Sequence, residues 1–170
     1  MATITQNELL LVSKASQEKL KYFADGASLS ARSGTSIKAL QKRVAQDRIA
    51  LARLHLKDAK KLMKATPSLS RSTVSRAYYS MYHAARAATY ISFGGDDHES
   101  HSVLPTKMPD DFPDVAKWRN RLKDARFERN RADYDPYPKK DQAFEVIAKR
   151  LILEAQELVA KAEVYVNSKT

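Results

Sequence analysis

The sequence predicts an all-α protein: an antiparallel up-and-down helical bundle of four to five helices, with an N-terminal helical appendage. Only 4 glycines and 6 prolines interrupt the 170 residues, and no long segment alternates apolar and polar residues at the period of two that is typical of a strand. Long segments repeat apolar residues at helical spacing instead. Helices of this kind bury one face against one another, which favours a bundle.

The first bundle helix is predicted from about residue 37 to residue 65. Apolar positions recur there close to helical spacing among many Lys and Arg residues, and no helix breaker occurs before Pro67. The residues that define this pattern are Leu40, Val44, Asp47, Leu51, Leu54, Leu62 and Met63.

The second helix is predicted to start at a cap formed by Ser70 or Ser72 and to run to about Phe93, where Gly94 and Gly95 end it. It has one apolar stripe, which we expect to face the core. The stripe consists of Val74, Tyr78, Met81, Ala85 and Ala88.

Two more helices follow a polar loop with the sequence GGDDHESHSVLPTKMPDD. The third is predicted from about Pro113 to Tyr134, and Pro136 and Pro138 stop it. The fourth begins near Lys140. Its apolar side is formed by Phe144, Ile147, Leu151, Ala155, Leu158 and Ala162.

The first part of the chain differs in composition, so we predict an appendage over residues 1–36 and a bundle domain over residues 37–170. An amphipathic segment at about Glu8 to Phe23 precedes the stretch ADGASLSARSGTS, whose Gly, Ser and Ala content is typical of a flexible linker. Two interpretations of the amphipathic segment stay open. It packs on its own bundle, or it packs on a partner helix.

The net charge of +10 favours a polyanionic partner, because each Lys or Arg that neutralises a phosphate releases a counterion. Charge alone does not distinguish RNA from DNA, an acidic protein or anionic lipid. The charge is concentrated over residues 117–131, where KWRNRLKDARFERNR has seven basic and two acidic residues. Nothing resembles a helix-turn-helix, which makes DNA reading the least favoured function.

The absence of cysteine excludes disulfide scaffolds, thiol catalysis and the common structural zinc sites, and it fits a reducing cytoplasm. The longest apolar runs, such as LLLV at residues 9–12, are far below the roughly 18 residues of a membrane span. No signal-peptide pattern opens the chain. We therefore expect a soluble cytoplasmic protein of 170 residues in one domain, with no cofactor.

A polar stripe lies beside the apolar stripe of the second helix. Its members occur at offsets of 0, 3, 7 and 10, and are Arg76, Tyr79, His83 and Arg86. Such a stripe can bind phosphate through arginine and stack bases on tyrosine. It is equally typical of a boundary face whose amphipathic residues reach from the core to solvent.

Two histidines, His98 and His101, lie with Asp96 and Asp97 in the following loop. Acidic residues and histidines are common in exposed loops, so we predict no metal site from this weak pattern.

The third helix ends in FERNRADYDPYP, which brings several polar groups together before the proline break. On a helix, Arg126, Arg129, Asn130 and Asp133 share a face, and Tyr134 lies one turn from Asn130. In the simplest interpretation, Arg129 pairs with Asp133 and Tyr134 fills the base of the bundle. In the functional interpretation, these groups bind a phosphate.

Three segments are distinctive when taken together: SRAYYSMYHAARAATY at 75–90, HSVL at 101–104 and RNRADYDPY at 129–137. Together they resemble the HEPN domain (higher eukaryotes and prokaryotes nucleotide-binding), in its UPF0332-like branch, over roughly residues 45–165. The resemblance implies a bundle of four or five helices, often a homodimer whose motif helices face each other across a cleft. It also implies a metal-independent endoribonuclease of toxin–antitoxin or antiphage systems, commonly beside a partner with a small nucleotidyltransferase fold.

One departure from the family pattern affects the predicted chemistry. Many ribonucleases of the family have the motif arginine, a spacer of four to six residues and then a histidine, whereas this chain has Tyr134 at that place and no later histidine. Metal-free RNA cleavage needs a base for the 2′-hydroxyl, stabilisation of the phosphorane and an acid for the 5′-oxygen. Arg129 suits the phosphate, Asn130 and Asp133 suit positioning, and Tyr134 suits the acid. His101 or His83 would supply the base if the fold brings either one near Arg129.

Two alternatives to cleavage stay open. The chain binds RNA or nucleotide without cutting it, or it dimerises and engages a nucleotidyltransferase partner. In the second case Tyr134 or Tyr137 offers a hydroxyl for nucleotidylation. The residues predicted to bind RNA are Arg76, Tyr79, His83, Arg86 and Arg126.

Overall fold

A computed structural model describes residues 4–169. The described residues form helices and no strand, which confirms the predicted all-α class. Two short 3₁₀ turns, at Leu104–Lys107 and Asp141–Phe144, accompany the α-helices. The α-helices are α1 (Gln6–Ser13), α2 (Gln17–Ser33), α3 (Ile37–Met63), α4 (Ser70–Phe93), α5 (Val115–Tyr134) and α6 (Glu145–Ser168). None of the described helices is long and apolar enough to cross a membrane.

The chain divides into two compact units, one ending at Leu40 and one beginning at Gln41. In the first unit, no residue of α1 or α2 is buried. Helix α2 runs through most of the stretch predicted as a flexible linker, so the linker prediction is wrong as far as Ser33. The alanines of this stretch are strong helix formers, and Gly34 ends the helix in the left-handed region, with φ of 63°. The predicted division between residues 36 and 37 stays a prediction.

In the second unit, α3 buries a different face from the one that its large apolar residues indicate. Val44, Leu51 and Leu54 are exposed. The buried side consists of Ala45, Ile49, Ala52, Leu56 and Ala59. Small side chains let α3 and α4 approach closely, and Ser80 Oγ donates a hydrogen bond to the backbone oxygen of Ala52 over 2.8 Å.

Helix α4 lies at the centre of this unit and packs against both α5 and α6. Its predicted apolar stripe is confirmed, because all five members are buried. The apolar side of α6 is confirmed as well: Ile147 is partly buried, and the other five members are buried. The largest fully buried side chain, Trp118, comes from α5.

The start of α4 is capped from a distant part of the chain. Neither Ser70 nor Ser72 caps the helix, which corrects the predicted cap. The carboxylate of Asp141 instead accepts hydrogen bonds from the backbone N–H of Ser70 and, over 3.1 Å, of Arg71. A carboxylate at this position satisfies free N–H groups and complements the helix dipole.

The end of α5 is closed by a side chain from α4. The helix ends at Tyr134, as the prolines predict. Its last carbonyl groups lack partners within the helix, and the Arg71 guanidinium donates hydrogen bonds to them and to the chain that follows. The acceptors are the backbone oxygens of Arg131 (3.3 Å), Ala132 (2.8 Å), Asp135 (2.9 Å) and Pro138 (2.6 Å). Arg71 and Asp141 therefore fix the end of α5 to the start of α4.

Candidate functional site

Arg129 is held on α5 by three polar neighbours. Its Nη2 donates a hydrogen bond to Tyr79 Oη over 2.7 Å, and its Nη1 donates one to Asn130 Oδ1 over 3.2 Å. Its Nε lies 2.7 Å from Asp133 Oδ2 in an ion pair. The side chain is only 18% exposed. Each terminal nitrogen of a guanidinium has two N–H groups, so Nη1 and Nη2 each keep one for a phosphate after these two hydrogen bonds.

Two tyrosine rings flank the Arg129 guanidinium. Its central carbon lies 5.3 Å from the ring centroid of Tyr79 and 5.2 Å from that of Tyr134, within cation–π range. Tyr134 is 69% exposed, so it does not fill the base of the bundle, and that part of the simplest interpretation is wrong. The predicted pairing of Arg129 with Asp133 is present. Tyr137, the other tyrosine considered for modification, is also exposed.

His101 reaches the same place from the loop after α4. Its Nδ1 lies 2.6 Å from Tyr78 Oη, a hydrogen bond that leaves Nε2 available. Its ring stacks on Tyr82 at 4.1 Å between centroids and meets the Tyr79 ring edge-on at 6.0 Å. Tyr79 therefore contacts both His101 and Arg129, two of the five residues predicted as catalytic.

The loop that carries His101 is anchored by charged groups. The Asp96 carboxylate accepts hydrogen bonds from both terminal nitrogens of Arg48, over 2.8 and 3.0 Å, and from Arg86 Nε over 2.8 Å. Tyr82 Oη donates a hydrogen bond to the backbone oxygen of Glu99 over 2.6 Å. These contacts give Arg86 a structural role, and its predicted contact with RNA stays a prediction.

The surroundings of His101 keep it neutral. Partial burial and the positive charges of Arg129, Arg126 and Arg86 lower its pKa from the ordinary value of 6.5. Burial raises the pKa of Tyr78, so its phenol stays protonated. A neutral His101 beside a protonated Tyr78 is the expected state at pH 7.

An open cavity of about 210 Å³ adjoins His101, and further residues of the predicted site line it. Arg126 and Asn130 line it together with His101, so a ligand there meets positive charge, an amide and an imidazole at once. The remaining lining residues are Ser102, Pro105, Lys123 and Phe127.

His83, the other histidine considered as a base, belongs to a different cluster. Its ring stacks in parallel on His55 of α3, with 5.3 Å between centroids. Burial and the neighbouring His55 lower the pKa of His83 to about 4. Arg76 Nη1 lies 3.4 Å from His55 Nδ1, and Arg76 is otherwise exposed along a cavity shared with Asp133. Of the two candidate bases, His101 is the one that contacts Tyr79.

Several contributing residues escaped the sequence analysis. Tyr78 was taken only as a member of the apolar stripe, although the run YYSMY places hydroxyl groups on adjacent faces of one helix. His55 and Arg71 gave no local signal, because their partners are 21 or more residues away along the chain.

The acidic and histidine residues of the loop point to separate partners. Asp96 binds two arginines, His101 binds Tyr78, and His98 meets the Phe93 ring edge-on at 4.9 Å. Within residues 4–169, no group of three or more metal-ligating side chains is arranged to hold an ion.

Comparison with known families gives one match that covers most of the second unit. The model of the HEPN domain matches residues 45–165. Comparison with curated proteins gave no significant match. The narrower assignment to the UPF0332-like branch stays a prediction, while a function connected with RNA is supported by the family match. Because the matched region spans well over half of the sequence, the chain belongs to the HEPN domain family.

Proposed function

We propose that this protein is a metal-independent endoribonuclease in which His101 supplies the proton-transfer group that its family motif lacks at Tyr134. The observation that carries the proposal is the position of Tyr79, whose hydroxyl oxygen accepts a hydrogen bond from Arg129 and whose ring meets His101 edge-on. One tyrosine thereby contacts both a phosphate-binding guanidinium and a neutral imidazole.

In the proposed reaction, the scissile phosphate binds the two remaining N–H groups of Arg129. Arginine matches two phosphate oxygens at once and keeps its charge at every relevant pH. Arg126, on the cavity that His101 also lines, adds positive charge where the phosphorane becomes more negative. Asp133 holds the guanidinium in place, and Asn130 orients the ribose or the phosphate.

Proton transfer then follows from the two sides of the site. In the tautomer that this step requires, His101 Nδ1–H donates its hydrogen bond to Tyr78 Oη, and Nε2 carries the lone pair. Nε2 then removes the proton of the 2′-hydroxyl, and the 2′-oxygen attacks phosphorus. The bond from phosphorus to the 5′-oxygen breaks, and the exposed Tyr134 hydroxyl donates the proton that this oxygen needs. The products are a 2′,3′-cyclic phosphate and a 5′-hydroxyl. No metal takes part in these steps.

In the proposed setting, the protein acts as the toxin of a toxin–antitoxin or antiphage system. There it forms a homodimer and has a partner with a nucleotidyltransferase fold. The family resemblance supports this setting by analogy. The exposure of Tyr134 and Tyr137, 69% and 66%, makes both hydroxyls suitable acceptors of a nucleotidyl group. Such a group on Tyr134 would put a phosphate against Arg129 and block the site.

A second candidate function is RNA binding without cleavage. The observation that favours it is Tyr134 itself, which stands where many family ribonucleases have their motif histidine. In this case the same basic surface binds RNA, and the protein acts by staying bound to RNA or to a partner protein without cutting RNA.

The proposal is tested by RNA cleavage in EDTA with the wild type and Arg129→Ala. We expect the wild type to cleave and the variant to lose about 100-fold or more in rate, because the charge on the phosphorane loses its main partner. Arg121→Ala is the matched control, since Arg121 lies on the same helix and pairs with Glu154.

Product analysis by mass spectrometry completes the test. A 2′,3′-cyclic phosphate in the wild-type product supports the proposed chemistry. Equal rates for Arg129→Ala and Arg121→Ala would contradict it. Absence of cleavage with RNA binding retained would favour the second candidate function.

A further inference from the structure

Three open cavities adjoin one another and lead away from the pair formed by Arg129 and Asp133. The first, of about 300 Å³, is lined by Asp133 and by Arg71, Ser72, Ser75, Arg76 and Ala132. The second, of about 450 Å³, shares Ser72 and Arg76 with the first. The third, of about 320 Å³, shares Lys61 with the second. Neighbouring cavities in this series adjoin one another at their shared residues, and the series is here called the groove.

The far end of this groove is a basic face of α3, here called the lysine face. Its members recur at intervals of three and four residues, so they share one side of the helix. At about 1.5 Å of rise per residue, the face extends over about 16 Å. It consists of Arg53, Lys57, Lys60 and Lys61, together with Lys64 directly after the end of the helix.

Most of the positively charged groups on the lysine face have no ion-pair or hydrogen-bond partner among the described residues. Lys57, Lys61 and Lys64 are exposed, and in the described part of the chain none of their ammonium groups forms a hydrogen bond or an ion pair with another residue. The other two members are engaged on α6: Arg53 pairs with Glu163, and Lys60 Nζ donates a hydrogen bond to Gln156 over 2.8 Å.

The groove as a whole carries an excess of positive charge. Its lining includes seven basic residues, the five of the lysine face together with Arg71 and Arg76, against two acidic residues, Asp58 and Asp133. Asp133 is already neutralised by Arg129. Exposed cations along a continuous groove attract a chain of phosphates, and each one that is neutralised releases a counterion.

Three exposed aromatic rings lie close to Arg129 along the chain. Tyr134, Tyr137 and Phe127 are 69%, 66% and 61% exposed. Rings of this kind stack on unpaired bases, whereas the bases of a duplex are already stacked within their helix. The combination of stacking rings and a cationic groove fits a single strand better than a double-stranded RNA.

We propose that the lysine face of α3 is a second binding site for single-stranded RNA, on which the backbone continues after leaving the Arg129 site through the groove. The assignment of the Arg129 end as the place of cleavage rests on the proposed function. Binding along the groove does not require that any bond is cut.

The test is binding of fluorescein-labelled, fully 2′-O-methylated RNA, which has no 2′-hydroxyl to be cleaved. The full chain is compared with a triple variant, Lys57→Ala, Lys61→Ala and Lys64→Ala, over a series of salt concentrations. A matched triple variant removes three lysines of α5 and α6 that have acidic partners: Lys117→Ala, Lys149→Ala and Lys161→Ala. Circular dichroism establishes that both variants keep the helical fold.

For a single strand about 16 nucleotides long, we expect the lysine-face variant to lose about 10-fold or more in affinity. The slope of log K against log salt should fall by about 2, since three phosphate contacts are lost at about 0.7 each. Tetranucleotide binding should change by less than about twofold, because a strand of that length fills only the Arg129 end.

Three results would overturn the proposal: an unchanged salt slope in the lysine-face variant, an equal loss in the matched variant, or duplex RNA of the same length binding as tightly as the single strand. Binding on the lysine face without cleavage of unmodified RNA would support this inference and remove the proposed activity. Cleavage of unmodified RNA by the wild type, together with unchanged RNA binding by the lysine-face variant, would support the proposed activity and overturn this inference.

Discussion

Three tyrosines of one helix hold the two sides of the candidate site in register. Tyr78 binds His101, Tyr79 binds Arg129, and Tyr82 binds the loop backbone at Glu99. The sequence analysis assigned Tyr78 to the core and Tyr79 to a polar stripe. Both assignments are compatible with the structure, but neither one includes the hydrogen bond of Tyr78 with His101 or that of Tyr79 with Arg129.

The sequence predicted the pairing of Arg129 with Asp133, because a helix puts these two positions one turn apart. It left His101 and His83 as alternative bases, since no local rule relates a loop to a helix end 28 residues later. Only tertiary packing separates them, by placing His83 on His55 and His101 on Tyr78.

The lowered pKa of His101 gives the proposed reaction a defined pH dependence. His101 acts as a base only when neutral, so the rate should rise with pH and reach half of its plateau below pH 6.5. Arg126→Gln removes one of the positive charges that lower this pKa and should move the half-point upward. The measurement is kcat/KM for a short RNA against pH, with Lys149→Gln as the control. A rate that falls between pH 5 and pH 7 would contradict the assignment of His101 as the base.

Among the secondary-structure elements, helix positions were predictable and helix faces were less so. Periodicity and prolines predicted the span of α4 and the end of α5 correctly. The buried face of α3 was missed because alanine carries little hydrophobic signal, although its small size permits the close packing that brings Ser80 to the Ala52 carbonyl. The cap of α4 was missed because Asp141 lies 71 residues from Ser70.

The loop after α4 is an element whose position depends on one carboxylate. Asp96→Asn should lower the free energy of unfolding by about 1–2 kcal/mol, because charge-assisted hydrogen bonds to Arg48 and Arg86 are weakened at a partly exposed site. It should also lower the cleavage rate, since His101 lies on the same loop. Asp97→Asn, which alters an exposed neighbour, is the control. Chemical denaturation measures the first effect and RNA cleavage the second.

The stability effect of Asp96 has a defined sign with pH. The hydrogen bonds from Arg86 and Arg48 lower the pKa of Asp96 in the folded state. Its contribution is therefore complete above the ordinary aspartate pKa of about 3.8 and is lost as pH falls toward the lower folded value. The stability difference between wild type and Asp96→Asn should shrink in acid. A difference that grows as the pH falls would contradict the ion-pair explanation.

For the molecule as a whole, composition favoured a polyanionic partner, and the fold supports the route that we propose for RNA. A net charge of +10 indicated a polyanion. The concentration of basic residues at 117–131 drew attention to α5, whereas the groove leads from the end of α5 along Arg76 to the lysine face of α3. That route was not predictable from the sequence, because it depends on which faces of α3 and α4 adjoin in the fold.

The role of His101 as the base is tested most directly by the rate of RNA cleavage in EDTA by His101→Ala, with His98→Ala as the control. Both histidines lie in one loop, and His98 contacts Phe93 while His101 contacts Tyr78. We predict a loss of about 100-fold or more for His101→Ala and less than about twofold for His98→Ala, with RNA binding retained by both. Equal cleavage rates for the two variants would contradict the claim that His101 replaces the missing motif histidine.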